Sequence, residues 1–313
     1  MKFSILIPAY KGTFLCEALE SCLSQTYQTY EVVVVDDASP ENLVSIVEPY
    51  LKDERVRYFR NEKNCGAINV VDNWNICLKY ANGDYVICMG DDDMLDIDCL
   101  QTYASLIEKH PAVHVFHCRS NIIDERSEIK SLTHSWPEQE SVYANIWHRM
   151  TANRQQYIGD FLYHRQYLIE CGGFYKLPMA WASDDITAFK AMDHGIIHTQ
   201  KTLFNYRETQ CTLSNSGNAF IKVTAINQEY QWYVNFVNSA RPQMKEDKIF
   251  LNCIKEEIPH HFKIKQLETV AYVGIGGNLF FGFFYWLWHR DVAALSILEV
   301  MYALLLAIKK KMK

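Results

Sequence analysis

The chain has 313 residues, of which 49% are hydrophobic and 22% charged, and its formal net charge is −6. This composition is typical of a globular protein of one or two domains, and the negative charge gives no electrostatic reason to expect nucleic-acid binding. The ten cysteines are scattered singly without a CxxC pair, which favours reduced core thiols in the cytosol over a disulfide scaffold. The first residues read as a strand, so no secretory signal is expected.

Strands and helices alternate through the first hundred residues. Apolar runs predict strands over residues 3–7, 31–35 and 85–89, and residues 56–60 read as a further short strand. Amphipathic spacing predicts helices over residues 14–24, 41–50 and 67–81. Strand–helix–strand units of this length indicate an α/β fold, with a mostly parallel sheet flanked by helices.

The pattern becomes less regular after residue 100. It predicts a helix over residues 100–110, a strand over 113–118 and a loop over the polar segment 120–140. Further on it predicts a strand and a helix within residues 158–173, and a helix that opens near residue 181. From about residue 220 the chain reads as helical and aromatic. We therefore expect a domain over residues 1–215 and a helical C-terminal extension over residues 216–313.

The extension contains an uncharged aromatic segment and ends in lysines. Residues 271–288 carry no charge, but their length is the minimum for a membrane span, and four glycines and Asn278 weaken that reading. The apolar residues 293–308 are followed by lysines at 309–311 and 313. This pattern favours either an interfacial anchor on anionic lipid or a helical subdomain with solvated lysines.

The most informative motif lies at the end of the fourth predicted strand. An apolar run over residues 85–89 is followed by three adjacent carboxylates, Asp91, Asp92 and Asp93. Adjacent negative charges repel each other, and a divalent cation such as Mg²⁺ or Mn²⁺ would account for their clustering. The alternative is an acidic turn in which Asp93 or Asp96 caps the next helix.

Two further acidic pairs fall at comparable positions. Asp36 and Asp37 follow the second strand, and Asp184 and Asp185 open a helix. Strand-terminal acids of a parallel sheet converge on the edge where nucleotide ligands bind. The loop over residues 8–12 shares that edge, and the Tyr10 ring there could hold a base. No GxGxxG or Walker-type glycine loop is present.

These acids suggest a transfer reaction. A cation at residues 91–93 would stabilise a diphosphate leaving group. Asp184 or Asp185 would take a proton from an attacking hydroxyl, which gives inversion at carbon. The alternative for Asp184 and Asp185 is helix capping and stabilisation of the helix dipole.

Several motifs in one order resemble glycosyltransferase family 2, densely over residues 3–100 and more sparsely to about residue 215. They are Ile5-Leu6-Ile7-Pro8-Ala9-Tyr10, Val33-Val34-Val35-Asp36-Asp37-Ala38-Ser39, Asn64-Cys65-Gly66 with Asn75, Gly83-Asp84-Tyr85, and Asp91-Asp92-Asp93. The resemblance implies a GT-A fold, an inverting reaction and a nucleotide-activated sugar donor. It also implies a nucleotide-sugar half over residues 1–110 and an acceptor half over residues 111–215.

The resemblance carries over to individual residues. It implies nucleotide-sugar contacts for Pro8, Ala9, Tyr10, Asp37, Asn64, Gly66, Asn75, Asp91, Asp92 and Arg207. It makes Asp92 the best metal ligand, with Asp93 and Asp91 as further ligands of Mn²⁺ or Mg²⁺. Gly90 departs from the family pattern, because an acidic residue usually stands there.

The acceptor side of the resemblance implies that Asp184 is the catalytic base, with Asp185 as second choice. Arg207, followed by residues 214–215, resembles a segment that closes over the diphosphate. The alternative for Arg207 is a surface salt bridge. Trp74 stands where many family members carry arginine, so a basic contact to the diphosphate would come from Lys11, Lys63 or Arg207.

These features predict a glycosyltransferase of cell-surface polysaccharide or glycan biosynthesis. Its expected partners are a nucleotide-diphospho-sugar donor, a glycan or lipid-linked saccharide acceptor, and the inner face of the cell membrane. Three alternatives remain: a sugar-nucleotide-binding protein without turnover, a sugar-phosphate nucleotidyltransferase, and a receiver or phosphatase that uses Asp36 or Asp91 as a nucleophile. A nucleotidyltransferase would need a glycine-rich basic loop after the first strand, whereas only Lys11 and Gly12 are present there.

Overall fold

A computed structural model describes residues 1–151, 154–209 and 218–312. Its strands are β1 (Phe3–Ala9), β2 (Tyr30–Asp36), β3 (Val56–Arg60), β4 (Tyr85–Cys88), β5 (Met94–Leu95), β6 (Val115–Ile123), β7 (Ile129–Leu132), β8 (Gln139–Glu140), β9 (Phe161–His164) and β10 (Ile196–Arg207). Its α-helices are α1 (Leu15–Leu23), α2 (Leu43–Val47), α3 (Val70–Tyr80), α4 (Cys99–Lys109), α5 (Val142–Thr151), α6 (Arg165–Glu170), α7 (Ser183–Ala191), α8 (Ala219–Ser239), α9 (Lys245–Thr269), α10 (Leu279–Trp288) and α11 (Ile297–Lys311).

All these strands belong to one sheet, whose main path runs β3-β2-β1-β4-β9-β6-β10-β5. Strands β1 to β4 pair in parallel, with Ile5 opposite both Val32 and Ile87. Strand β9 runs antiparallel to both of its neighbours, and β5 runs antiparallel to β10. The predicted α/β fold with flanking helices is confirmed, with one correction: the sheet is mixed rather than mostly parallel.

Strands β1 and β2 are apolar on both faces because helices cover both sides of the sheet. Ile5 and Val32 are fully buried in the main hydrophobic core. Helix α1 packs its apolar stripe into the same core through Leu15, Leu19 and Cys22. This packing places the carboxyl ends of β1, β2 and β4 side by side.

The segment predicted as a loop over residues 120–140 contains the end of β6 and the short strands β7 and β8. Strand β6 continues to Ile123 and forms an antiparallel hairpin with β7, and β8 pairs with β10. The Asp124 carboxylate closes the hairpin turn by accepting the N–H groups of Arg126 and Glu128. All four residues of β7 are exposed, so this strand lacks the apolar alternation by which strands are recognised in sequence.

The chain divides into two compact units. Unit 1 comprises Met1–Lys176 and Ser183–Gln210, and unit 2 comprises Leu177–Ala182 and Cys211–Lys313. Unit 2 has a core of its own, which includes Val270, Trp286 and Val300. The predicted domain boundary at residues 215–216 lies outside the described residues. Within the described ranges, no helix has both the length and the hydrophobicity needed to cross a membrane.

Candidate active site

Asp91 fastens the loop after β1 to the loop after β4. Its Oδ2 accepts the backbone N–H groups of Tyr10 and Lys11, both at 2.6 Å. Burial raises the pKa of Asp91 to about 6, although these two N–H groups act in the opposite direction. The predicted nucleotide-binding residues Tyr10 and Asp91 are therefore brought together, with Asp91 as the anchor of the backbone.

The same loop is held from its other side by the segment after β2. Ser39 Oγ donates to the Tyr10 carbonyl oxygen at 2.6 Å, and Glu41 Oε2 accepts the Gly12 N–H at 2.8 Å. Pro8 and Ala9 lie within β1, opposite Val35 and Asp36. The backbone of Tyr10 is thus fixed, while its side chain stays 43% exposed at the sheet edge. An aromatic ring held this way can stack on a planar base.

Asp37 holds a second loop at this edge of the sheet through hydrogen bonds. Its Oδ1 accepts from Asn61 Nδ2 at 2.8 Å and from the Cys65 N–H at 3.0 Å. Asn64 Nδ2 donates to the Asp37 carbonyl oxygen at 2.7 Å. Gly66 follows with φ +78°, a left-handed conformation that favours glycine. The predicted residues Asp37, Asn64 and Gly66 therefore lie together.

Asp36, by contrast, stabilises the sheet. It is fully buried, and its carboxylate accepts from Tyr58 OH at 2.6 Å and from the Arg60 guanidinium. Both partners lie on the neighbouring strand β3. Asp36 thus serves the sheet, whereas the Asp37 carboxylate holds the neighbouring loop, and the nucleotide contact of Asp37 stays a prediction.

Asp93 points inwards and fixes the loop that contains it. Its Oδ1 accepts the Arg207 N–H at 2.9 Å, and its Oδ2 accepts the Gly90 N–H at 3.1 Å. Burial, followed by the charge of Asp92, raises its pKa well above the usual range. Helix α4 begins at Cys99 with Asp98 in the cap position, so neither Asp93 nor Asp96 caps it.

Gly90 has no room for a side chain. A Cβ there would lie 2.8 Å from Asp92 Oδ1 and 2.8 Å from Asp93 Oδ2. A side chain at the glycine that departs from the family pattern would therefore require both carboxylates to turn away, including the Asp93 oxygen that accepts the Gly90 N–H.

Asp92 is the acid of this motif that remains uncommitted. Its half-buried carboxylate forms no hydrogen bond or ion pair with another side chain in the described part of the molecule. Burial raises the pKa of Asp92, against the charges of Lys11 and Arg207.

The three carboxylates do not form a preassembled metal cage. Residues 1–151, 154–209 and 218–312 contain no group of three or more acidic, histidine or cysteine side chains arranged to hold a cation. Asp91 and Asp93 are engaged by backbone N–H groups. Mg²⁺ and similar ions are commonly bound by one or two carboxylates, with substrate phosphates and water as the other ligands. The residues present fit such a site, with Asp92 as the protein ligand.

Arg207 is fully buried and fully used within the fold. Its guanidinium donates to the Asp92 carbonyl oxygen at 2.7 Å and to Glu17 Oε2 at 2.7 Å, and it lies over the Phe14 ring at 4.1 Å. The remaining N–H groups contact the Asp124 carbonyl oxygen, Ser127 Oγ and Met94 Sδ. The buried guanidinium thus pairs with the partly exposed Glu17 and holds the loop of Asp92, while its contact with a diphosphate stays a prediction. Residues 214–215 lie outside the described residues.

Asn75 also has a structural position. Its Nδ2 donates to the Phe174 carbonyl oxygen at 2.9 Å, and its Oδ1 accepts the Phe174 N–H at 2.9 Å. A Cβ at Gly173 would lie only 2.4 Å from Asn75 Oδ1. In this structure Asn75 therefore holds the segment that follows α6, and its nucleotide contact stays a prediction.

Asp184 and Asp185 open α7 but have different surroundings. Asp185 is buried, and its Oδ1 accepts from Arg149 Nε at 3.0 Å and from Gln156 Nε2. Asp184 is half-buried. Burial and, next, the adjacent Asp185 charge raise the pKa of Asp184 to about 7, against the opposing charge of Arg149. Asp184 is therefore the acid of this pair that can exchange a proton near neutral pH.

Arg149 and Gln156 carry no signal in the sequence that marks them as partners of Asp185. They lie on and after α5, about 30 positions before α7, and only the tertiary fold brings them to Asp185. A buried carboxylate needs such partners, so the requirement could be anticipated but the identity of the partners could not.

Known proteins resemble this chain in sequence and in fold. The family model described as "Glycosyl transferase family 2" matches residues 4–174, just over half of the chain. The glycosyltransferase GlyG of Streptococcus pneumoniae is 31% identical over 111 residues, which cover 35% of this chain and 36% of GlyG. The poly(ribitol-phosphate) β-N-acetylglucosaminyltransferase TarS of Staphylococcus aureus is 33% identical over 113 residues, 35% of this chain and 19% of TarS.

The matched segments thus span about a third and a fifth of the length of these two relatives. A crystal structure of residues 1–349 of S. aureus TarS in complex with UDP-GlcNAc superposes with a TM-score of 0.65. The superposition covers 93% of this chain and 88% of that one, at 18% identity. At this level of identity the likeness establishes the shared fold.

Proposed function

Because the chain belongs to glycosyltransferase family 2, we propose that it transfers a sugar from a nucleotide-sugar donor to an acceptor hydroxyl with inversion at the sugar carbon. One observation carries this proposal. The other strand-terminal acids and Asp185 are consumed by hydrogen bonds, whereas Asp92 and Asp184 keep carboxylates that can act on a ligand. The Asp92 carboxylate suits a site beside a charged leaving group, and the Asp184 carboxylate suits proton transfer.

The donor nucleotide would lie across the loops after β1, β2 and β4. The exposed Tyr10 ring is in position to stack on the base, and the loop gathered by Asp37 is in position to flank it. Asn64 and Gly66 shape that second loop. The Asp91 and Ser39 contacts preorganise the backbone of Tyr10, so little ordering remains to be done on binding.

Asp92 would hold the divalent cation, Mn²⁺ or Mg²⁺, that the family resemblance implies. When bound, such an ion neutralises charge on the diphosphate that leaves the sugar. The charges of Lys11 and Arg207 both act on Asp92, but the Arg207 guanidinium is buried within the fold. Of the three candidates Lys11, Lys63 and Arg207, we therefore assign the phosphate contact to Lys11.

Asp184 would act as the general base. The acceptor hydroxyl gives its proton to an Asp184 carboxylate oxygen while the hydroxyl oxygen forms a bond to the sugar carbon. The bond from that carbon to the diphosphate breaks on the opposite face, and its electron pair leaves with the diphosphate. A pKa of about 7 suits this step, because the base must be ionised before the reaction and protonated after it.

The acceptor that we propose is a glycan or lipid-linked saccharide of the cell surface, handled in the cytoplasm. The name of TarS describes the transfer of N-acetylglucosamine to poly(ribitol-phosphate). This similarity supports a surface polymer as the acceptor class. We also propose peripheral contact of the C-terminal region with the inner face of the cell membrane.

A release assay tests this function. The protein is incubated with Mn²⁺ and a panel of sugar nucleotides that includes UDP-GlcNAc, and release of the nucleoside diphosphate is measured with and without acceptor saccharides. We expect release with at least one donor, and its loss in Asp92→Asn and Asp184→Asn. Glu108→Gln, an exposed carboxylate on α4, is the control and should remain active.

Two outcomes would contradict the proposal. Donor binding by titration calorimetry without release under any acceptor would favour a binding protein without turnover. Release of inorganic phosphate instead of a nucleoside diphosphate would favour a phosphatase.

A further inference from the structure

Helix α10 presents an exposed aromatic face. Its most exposed large side chains recur at one-turn spacing, which places them on one side of the helix. They are Phe280, Phe281, Phe284, Tyr285 and Trp288, with exposed fractions from 46% to 82%. The opposite side carries Trp286, which is buried in the core of unit 2. This helix therefore has one buried apolar face and one exposed apolar face.

Helix α11 repeats this arrangement with mainly aliphatic residues and one tyrosine. Its exposed side chains are Ile297, Leu298, Met301, Tyr302 and Leu305, each at least 50% exposed. Its inward residues Val300, Ala303 and Ala307 belong to the same core cluster as Trp286. The two helices also pack against each other. Their outer stripes, which we call the C-terminal apolar face, both point away from that shared core.

Such a surface is unfavourable in water. Ten large apolar side chains on two neighbouring helices exceed the scattered exposed residues that monomeric proteins normally show. Phenylalanine, tyrosine and tryptophan are the residues that concentrate at the interface between lipid and water. The face therefore has the composition of a membrane-contacting surface.

The geometry favours a position in the plane of the membrane. With 10 and 15 residues, α10 and α11 are about 15 Å and 22 Å long, whereas a bilayer core is about 30 Å thick. A helix that lies along the interface inserts its apolar side chains between head groups and keeps its other face on the protein.

The charges at this end of the chain indicate an anionic lipid. Lys309, Lys310 and Lys311 form the exposed last turn of α11, and their charges also suit the negative end of the helix dipole. The acidic residue within α11, Glu299, is engaged by Lys263 Nζ at 3.2 Å. Asp291 is exposed in the turn before α11 and lies outside both stripes.

We propose that the C-terminal apolar face binds in the plane of an anionic phospholipid bilayer. The aromatic residues of α10 and the aliphatic residues of α11 insert among the head groups, and the lysines at the end of α11 contact lipid phosphates. This inference rests on the membrane contact in the proposed function, and it specifies the surface, the orientation and the lipid class.

Vesicle sedimentation of the full chain tests this proposal. We expect at least tenfold tighter binding to vesicles of phosphatidylcholine with 30% phosphatidylglycerol than to phosphatidylcholine alone. The double variant Phe284→Ser/Trp288→Ser should bind at least tenfold more weakly. The triple change of Lys309, Lys310 and Lys311 to Gln should remove the preference for the anionic lipid. Ile249→Ser, an equally exposed apolar residue at the start of α9, is the control and should bind like the wild type.

The result can be separated from the proposed function. Donor hydrolysis is measured on the same samples in the absence of lipid, and the two surface variants should retain it, because their positions lie outside the candidate active site. Vesicle binding unchanged by the serine substitutions would overturn the inference. So would a wild-type dimer in analytical ultracentrifugation that these substitutions dissociate, because a second copy would then cover the face. Loss of donor hydrolysis in all samples, with normal vesicle binding, would count against the proposed function alone.

Discussion

The Asp91 carboxylate lies 2.6 Å from the Tyr10 backbone nitrogen, although the two residues are 81 positions apart in the chain. The same oxygen accepts the Lys11 N–H. Asp91, the first of the three adjacent carboxylates, thus preorganises the loop of Tyr10, where we place the nucleotide base. Its role in shaping the site can be separated by experiment from that of a metal ligand.

Replacement of Asp91 distinguishes these two roles. In Asp91→Asn the amide oxygen can still accept both N–H groups, so we expect donor affinity, measured by calorimetry with UDP, to fall less than about threefold. Asp91→Ala removes the acceptor, and we expect a loss of about tenfold or more. If the Asn variant binds as poorly as the Ala variant, the carboxylate charge itself is needed and Asp91 is a ligand.

Arg207 should be important for folding rather than for chemistry. Arg207→Lys removes most of the N–H groups that hold Glu17, Asp124 and the loop of Asp92, and it leaves a buried ammonium in their place. We expect a loss of about 3 kcal/mol in the free energy of unfolding, measured in urea. Arg126→Lys in the exposed hairpin turn is the control and should change it by less than about 0.5 kcal/mol. Unchanged stability together with a raised KM for the donor would restore the predicted phosphate contact.

The pH dependence of transfer should follow Asp184. Since its pKa is raised to about 7, kcat/KM should rise with pH through that region as the base ionises. The charges that act on Asp184 come from Asp185, Arg149 and Asp160.

Substitutions at two neighbours of Asp184 should shift the rising, acidic limb of the pH profile of kcat/KM in opposite directions. Asp185→Asn removes a negative charge and should shift the limb by about one unit to lower pH. Arg149→Gln removes a positive charge and should shift it to higher pH. A limb that stays in place in both variants would contradict the assignment of Asp184 as the base.

Asp184 should also reduce stability at high pH. A carboxyl whose pKa is higher in the folded than in the unfolded protein favours folding at low pH, and this contribution is lost as pH rises from about 4 to 7. We therefore expect Asp184→Asn to stabilise the protein at pH 8 by about 1 kcal/mol, because the side chain is only partly buried. The gain should disappear at pH 4, as followed by urea unfolding. A variant that is less stable at pH 8 would indicate that the carboxylate is structural.

Much of the fold could be predicted because its signals are local. The apolar runs of β1, β2 and β4 are nearly continuous, and the shorter β3 is observed at its predicted bounds, Val56–Arg60. Strand β7 was missed because its four side chains are all exposed, so neither apolar run nor alternation marks it. The antiparallel insertion of β9 depends on pairing with β4 and β6, and residue periodicity carries no information about strand direction.

The candidate site was predicted as a set of residues but not as a set of roles. The strand-terminal positions placed Asp37 and residues 91–93 at one sheet edge, and this followed from parallel topology alone. Which carboxylate is available there depends on donors that arrive from distant segments, such as the Arg207 N–H on Asp93, 114 positions away.

The sequence by itself determined the family, the parallel first half of the sheet and the chain positions of the acidic groups, because motif order and apolar periodicity are properties of neighbouring residues. Only the tertiary structure decided that Asp91, Asp93 and Asp185 are held by hydrogen bonds while Asp92 and Asp184 are left uncommitted. It also decided that Arg207 is buried and that the C-terminal apolar face is exposed. The physical reason is the same in each case: burial and hydrogen-bond satisfaction depend on which segments meet in space.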